Sequence, residues 1–245
     1  MQNLVISGCS WSCGEWELSD DDNGLFLKED WFSKLLSHSF NVFNVSKGGG
    51  SNWESIFSLS NFIYFNEKEY KILLFQTDPF RMALSHRLQV SIDPDIKCIV
   101  MESENLEAIY QSITEIFYYK VDAISNKIGM PINLVGGLCD VNQSLCEKFS
   151  GINVLCESWK KLMDEQYVIS HIPTQIDSEM FKFAMESHRF DICDEIETHN
   201  SHNFPMYNNL LNSKYIGPVF GDFHPSQDGF SIMSNFIINN KNALK

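Results

Sequence analysis

Short apolar runs alternate with stretches of helical period along the first two thirds of this 245-residue chain. Leu4-Val5-Ile6 is uninterrupted and ends in Ser7-Gly8, which suits a strand buried on both faces with a tight exit. The segment beyond Ser10 is expected to open a helix. Glu15 to Gly24 is acidic and rich in turn residues, so it reads as a surface loop leading to an amphipathic helix near Trp31–Leu36. Asn41–Val45 is the next strand, and a helix over Asn52–Phe65 places Trp53, Ile56, Phe57, Leu59 and Ile63 on one face. Lys71–Phe75 is a third strand. A long helix from Glu104 to about Lys127 carries Leu106, Ile109, Tyr110, Ile113, Ile116 and Phe117 at helical spacing and stops before Gly129-Met130-Pro131.

Ile132–Val135 supplies a fourth strand, ending in Gly136-Gly137, and Val154-Leu155 a short fifth. Asp177 to about His188 looks helical, whereas Asn200 to Asn212 shows no period and reads as an insertion or a long connection. Strands separated by helices predict an α/β fold. The expected form is a three-layer α/β/α sandwich whose parallel sheet of about five strands has its ligand crevice beyond the strands' carboxyl ends.

Length favours one domain over residues 1–245, and nothing rich in Pro, Gly or Ser marks a boundary. The formal charge of −14 opposes approach to a phosphate backbone, so no nucleic-acid partner is expected. No apolar run approaches the roughly 20 residues that cross a bilayer, and MQNLVISG has no basic leader, so neither membrane nor export is expected. Seven cysteines, an odd and scattered set, suit reduced thiols and a cytoplasmic location. Cys9-x3-Cys13 and Cys139-x6-Cys146 lack the paired spacing of a zinc site, and Gly48-Gly49-Gly50 lacks the Gly-Lys-Ser/Thr ending of a phosphate loop. No metal and no cofactor are expected.

The candidate chemistry lies where the apolar runs end. Gly8-Cys9-Ser10 presents a serine at the exit of the first strand, and a serine nucleophile needs a base within reach and donors for the oxyanion it creates. Near the other end of the chain, Asp222-Phe223-His224-Pro225 joins a carboxylate to an imidazole on one segment, just before the apolar stretch Phe230–Ile238. Asn44 to Asn52, with its three glycines, and Gln76-Thr77-Asp78-Pro79 are the two polar turns between them.

With these four blocks in this order, the chain resembles the SGNH (GDSL-like) hydrolases, over roughly its whole length. The resemblance implies their flavodoxin-like fold and a serine esterase in which Ser10 is the nucleophile, His224 the general base and Asp222 its partner. Three spellings depart from the family, the last in the third block. Cys9 stands where many members have aspartate, leaving a Cys9 nucleophile as a minor alternative, and the acid lies two residues before the histidine instead of three. The resemblance further implies an oxyanion hole from the backbone of Ser10, from Gly49 and from a third-block donor. That block's asparagine is replaced by Thr77, with Gln76 or Asn52 as alternatives. Asp78, Asn52, Gln76 and Trp11 are candidate substrate contacts. The expected substrate is a small acyl ester, acetyl in the first instance, of a carbohydrate or other polar alcohol. The alternative is a protein on the same fold that binds a glycan or peptide without catalysis.

Overall fold

A computed structural model describes residues 1–18, 25–48, 50–66, 69–77, 106–137, 139–163, 216–217 and 224–245. Its centre is a parallel sheet built from β1 (Gln2–Ser7), β4 (Phe40–Asn44), β5 (Lys71–Gln76), β6 (Ile132–Gly136) and β7 (Ile152–Cys156). The order across the sheet is β4-β1-β5-β6-β7, and every neighbouring pair is parallel. The expected five-stranded parallel sheet is therefore present. Each connection of adjacent parallel strands needs a crossover, and helices supply it: α2 (Trp31–Leu36), α3 (Asn52–Phe65), α4 (Leu106–Ile128) and α5 (Gln143–Cys146), while α6 (Gln227–Asn239) follows the sheet at the C-terminal end.

Side chains alternate across a strand, so the two faces of β1 bury different residues. Leu4 and Ile6 join Leu73, Phe75 and Val135 in a core covered by Phe32 and Leu36 of α2, Trp159 and Met163 of the helical residues 159–163, and Phe230, Met233 and Ile237 of α6. Val5 joins Ile72, Leu74, Ile132 and Leu134 in a second core under Ile56 and Leu59 of α3 and Phe117, Tyr118 and Val121 of α4. Two cores on opposite faces make three layers. The first is strongly aromatic: the Phe32 ring stands 5.2 Å, centroid to centroid, from each of Phe75, Trp159 and Phe230.

Three expectations change. The acidic stretch after Gly14 is a strand, not only loop: β2 (Glu15–Leu18) pairs antiparallel with β3 (Leu25–Glu29). Glu15-Trp16-Glu17-Leu18 alternates with period two, the signature of a two-sided strand, which the local acidity masked. Phe57 leaves the expected face of α3 and is 62% exposed, because it lies about 100° around the helix from buried Ile56. Ile116 is exposed for the same reason, since α4 turns Thr114, Phe117, Tyr118, Val121 and Ser125 inward. The helix expected over 177–188 and the polar stretch 200–212 lie outside the described residues. Among the described residues no helix is long and apolar enough to cross a membrane.

Candidate active site

Reading the sheet as strands 2-1-3-4-5, the chain leaves β1 for β4 on one side and returns to β5 on the other. The connections thus diverge between β1 and β5, and a crevice opens beyond their carboxyl ends. Ser10 follows β1 and Thr77 follows β5. The topology sets these two candidates on either side of the same switch point.

Ser10 is the first residue of α1 (Ser10–Cys13), with Cys9 in extended conformation as its N-cap, and is 5% exposed. The turn before it has room only for glycine. A Cβ on Gly8 would overlap Ser12 Oγ and approach Phe75 Cβ at 2.7 Å. At the far end of α1 the chain turns on Gly14, whose φ of 144° disfavours other residues and whose missing side chain admits the Glu29 carbonyl. Ser12 Oγ donates to Cys9 O and shares a further hydrogen bond with the Ser46 hydroxyl, while Asn44 Nδ2 donates to Ser12 O and to Asp30 Oδ1. Asp30 in turn caps α2 by accepting from the Ser33 N–H. The short helix that carries Ser10 is held by β4 and by the start of α2.

The glycine-rich segment lies against the same strand end. Val45 N donates to Ile6 O and Lys47 N to Gly8 O, so the chain runs on beside β1 before α3 begins. Gly49, the expected oxyanion donor, lies outside the described residues. Ser51 starts α3 with a capping box: its hydroxyl accepts from Glu54 N, and the Glu54 carboxylate accepts from Ser51 N.

Asn52 and Thr77 meet directly. Asn52 Nδ2 donates to Thr77 O at 3.0 Å, and Thr77 N donates to Asn52 Oδ1 at 2.9 Å. Thr77 Oγ1 is buried with no hydrogen-bond partner among the described residues. The Gln76 amide is engaged on the other side, donating to Asp140 O and accepting from the Tyr118 hydroxyl. Of the three groups considered for the third donor, the Thr77 hydroxyl is thus the one with no protein partner in view.

His224 belongs to β9 (His224–Pro225), which pairs antiparallel with β8 (Ile216–Gly217), and it is 2% exposed. Ser226 follows as the N-cap of α6, accepting from Gly229 N. β9 lies against α1, with Cα atoms within 8 Å. Asp222 and Asp78 lie outside the described residues. Trp11 is 3% exposed, its ring at 89° to that of Trp159, so as placed it presents no open face for a sugar.

Burial raises the Cys13 thiol from 9.0 to about 12, with Cys9 and Asp30 adding to the effect. A thiol so held stays protonated at neutral pH and is a poor nucleophile. No group of three or more His, Cys, Asp or Glu side chains able to hold a metal occurs among the described residues. Sequence reasoning passed over the supports of the site, namely Tyr118, Asn44, Asp30 and the Ser51 cap. Only the last had a readable signal, the Ser-x-x-Glu spacing.

No family model matches the chain, and no curated protein matches it. A solved structure described as a member of the lipolytic protein G-D-S-L family from Veillonella parvula DSM 2008 aligns with a TM-score of 0.40 and 12% identity, covering 98% of this chain and 97% of that one. A superposition of that quality carries no argument about what this chain does.

Proposed function

We propose that the protein is a serine esterase acting through Ser10 and His224. The observation that carries this reading is the packing of α1 against β9, which brings residues from opposite ends of the chain to the mouth of one sheet. Ser10 Oγ attacks the ester carbonyl carbon as His224 takes its proton. The tetrahedral oxyanion is met by backbone N–H groups at Ser10 and Gly49 and by the Thr77 hydroxyl. Collapse releases the alcohol with the proton returned by His224, and water, deprotonated by the same imidazole, then hydrolyses the acyl-enzyme. Asp222 is the proposed partner that orients the imidazole.

The proposed substrate is a small acyl ester, acetyl first, on a carbohydrate or other polar alcohol. Support comes from the polar composition of the segments expected around the site, 14–23, 78–81 and 199–209, which suits hydrogen bonding better than an acyl chain. A protein on the same fold that binds a glycan or peptide without catalysis is the second reading, favoured by the threonine at the third-block position. Rates on p-nitrophenyl acetate, butyrate and octanoate, with acetate release from an O-acetylated glycan, test the proposal. Turnover is expected to fall as the acyl chain lengthens. A rise with chain length and no acetate release would overturn the substrate class, and no turnover of any ester would favour the binding reading.

A further inference from the structure

We infer that Asn52 is a positioning residue for the Thr77 hydroxyl, an inference that rests on the esterase reading of this site. Asn52 is the first residue of α3, and its carboxamide takes both main-chain groups of Thr77, donating to the carbonyl and accepting from the N–H. A carboxamide does both at once from two separate atoms, whereas a carboxylate only accepts and an ammonium only donates. Asn52 is 2% exposed and Thr77 fully buried, so this pair of bonds forms away from competing water.

The preceding residue is fixed as firmly. Gln76 O accepts from Gly137 N, Gln76 Nε2 donates to Asp140 O, and Gln76 Oε1 accepts from Tyr118. With β5 ending at Gln76, the chain direction at Thr77 is set by the sheet on one side and by Asn52 on the other. The α3 end that carries Asn52 is itself tied to β1, because Ser7 Oγ donates to Ser55 O and Ser55 Oγ to Ser51 O. The position of the Thr77 side chain is therefore referred back to the strand that delivers Ser10. Asn52 acts through Thr77, because both ends of its carboxamide hold main-chain atoms of that residue.

A double-mutant cycle with Asn52→Ala and Thr77→Val tests this, using p-nitrophenyl acetate and the rate at which a fluorophosphonate labels the serine. Thr77→Val, which removes one oxyanion donor, is expected to lower kcat by about 10²-fold with little change in KM. Asn52→Ala is expected to lower kcat by about tenfold, and the double variant to be no slower than Thr77→Val within about twofold, because residues acting as a unit are non-additive. Losses that multiply would show Asn52 acting on its own and overturn the inference. Asn52→Asp guards against misfolding: it keeps the acceptor for the Thr77 N–H but sets a carboxylate against the Thr77 carbonyl, and kcat should still fall. Full activity in Asn52→Asp would contradict the inference. Amide exchange separates this claim from the reading beneath it. Should wild type fail to label or turn over, the esterase reading falls, and Thr77 amide exchange alone judges the clamp. Faster exchange at Thr77 in Asn52→Ala than in wild type upholds it, and equal exchange overturns it.

Discussion

Tyr118 of α4 donates a 2.8 Å hydrogen bond to Gln76 Oε1 at the end of β5 while accepting one of 2.9 Å from the Asn142 N–H that precedes α5. One buried phenol thus joins three elements behind the candidate site. Replacing it with phenylalanine leaves the Gln76 oxygen and the Asn142 N–H without this partner. The Gln76 oxygen is the buried one of the two, and one orphaned buried group costs about 1–3 kcal/mol, so Tyr118→Phe should lower stability by roughly that amount, read as a shift of the urea midpoint with unchanged slope.

Gly8→Ala places a methyl where Ser12 Oγ and Phe75 Cβ already stand, both close to fixed backbone. Forcing a methyl into such a position costs about 1–3 kcal/mol. Because the strain falls on the turn that delivers Ser10, the proposed esterase activity should drop further than stability alone explains. Activity measured well below the unfolding temperature separates the two effects.

The aromatic core offers a paired comparison on the same fold. Phe32 packs against Phe75, Trp159 and Phe230, so Phe32→Ala should destabilise by about 3–5 kcal/mol. Phe57→Ala, at a largely exposed position, should stay within about 0.5 kcal/mol of wild type. Similar losses at the two sites would show the burial pattern of α3 to be wrong.

Buried thiols predict an alkaline weakness. In the folded chain Cys13 is raised to about 12 and Cys146 to about 11, both from 9.0 and chiefly by burial. Between these values the unfolded thiols lose protons while the folded ones keep them, so the unfolded state binds fewer protons and stability falls as pH rises. Below about pH 9 the contribution is fully present, and it is lost across the window from there to about 12. The urea midpoint should decline steeply through that window. In Cys13→Ala the decline should be shallower, and an equal slope would remove Cys13 from the account.

The sheet was legible because parallel strands buried on both faces are written as unbroken apolar runs, and Leu4–Ile6 and Ile72–Phe75 are such runs. β2 was hidden because acidic residues on its polar positions resemble a loop. The outward turn of Phe57 and Ile116 was unreadable for another reason: a helix with apolar residues on more than one face does not say which of them the sheet will cover. For the site, Ser10 and His224 could be named from local spelling, and so could Asn52 and Thr77 as candidates. Their pairing could not, since the Asn52 clamp joins positions from separate βα units and depends on β1 and β5 being neighbours. Tyr118 gave no signal at all, as it sits on a helix face that reads as ordinary core.

The central claim is that Ser10 is a nucleophile served by His224, and one labelling experiment tests it most directly. Wild-type protein treated with a fluorophosphonate, digested and mapped by mass spectrometry, should carry a single phosphonyl adduct on Ser10. The adduct should be absent from Ser10→Ala and form at least about 10³-fold more slowly in His224→Ala, since triad members act as a unit. An unlabelled wild type, an adduct on Cys9, or equal labelling of wild type and Ser10→Ala would contradict the account.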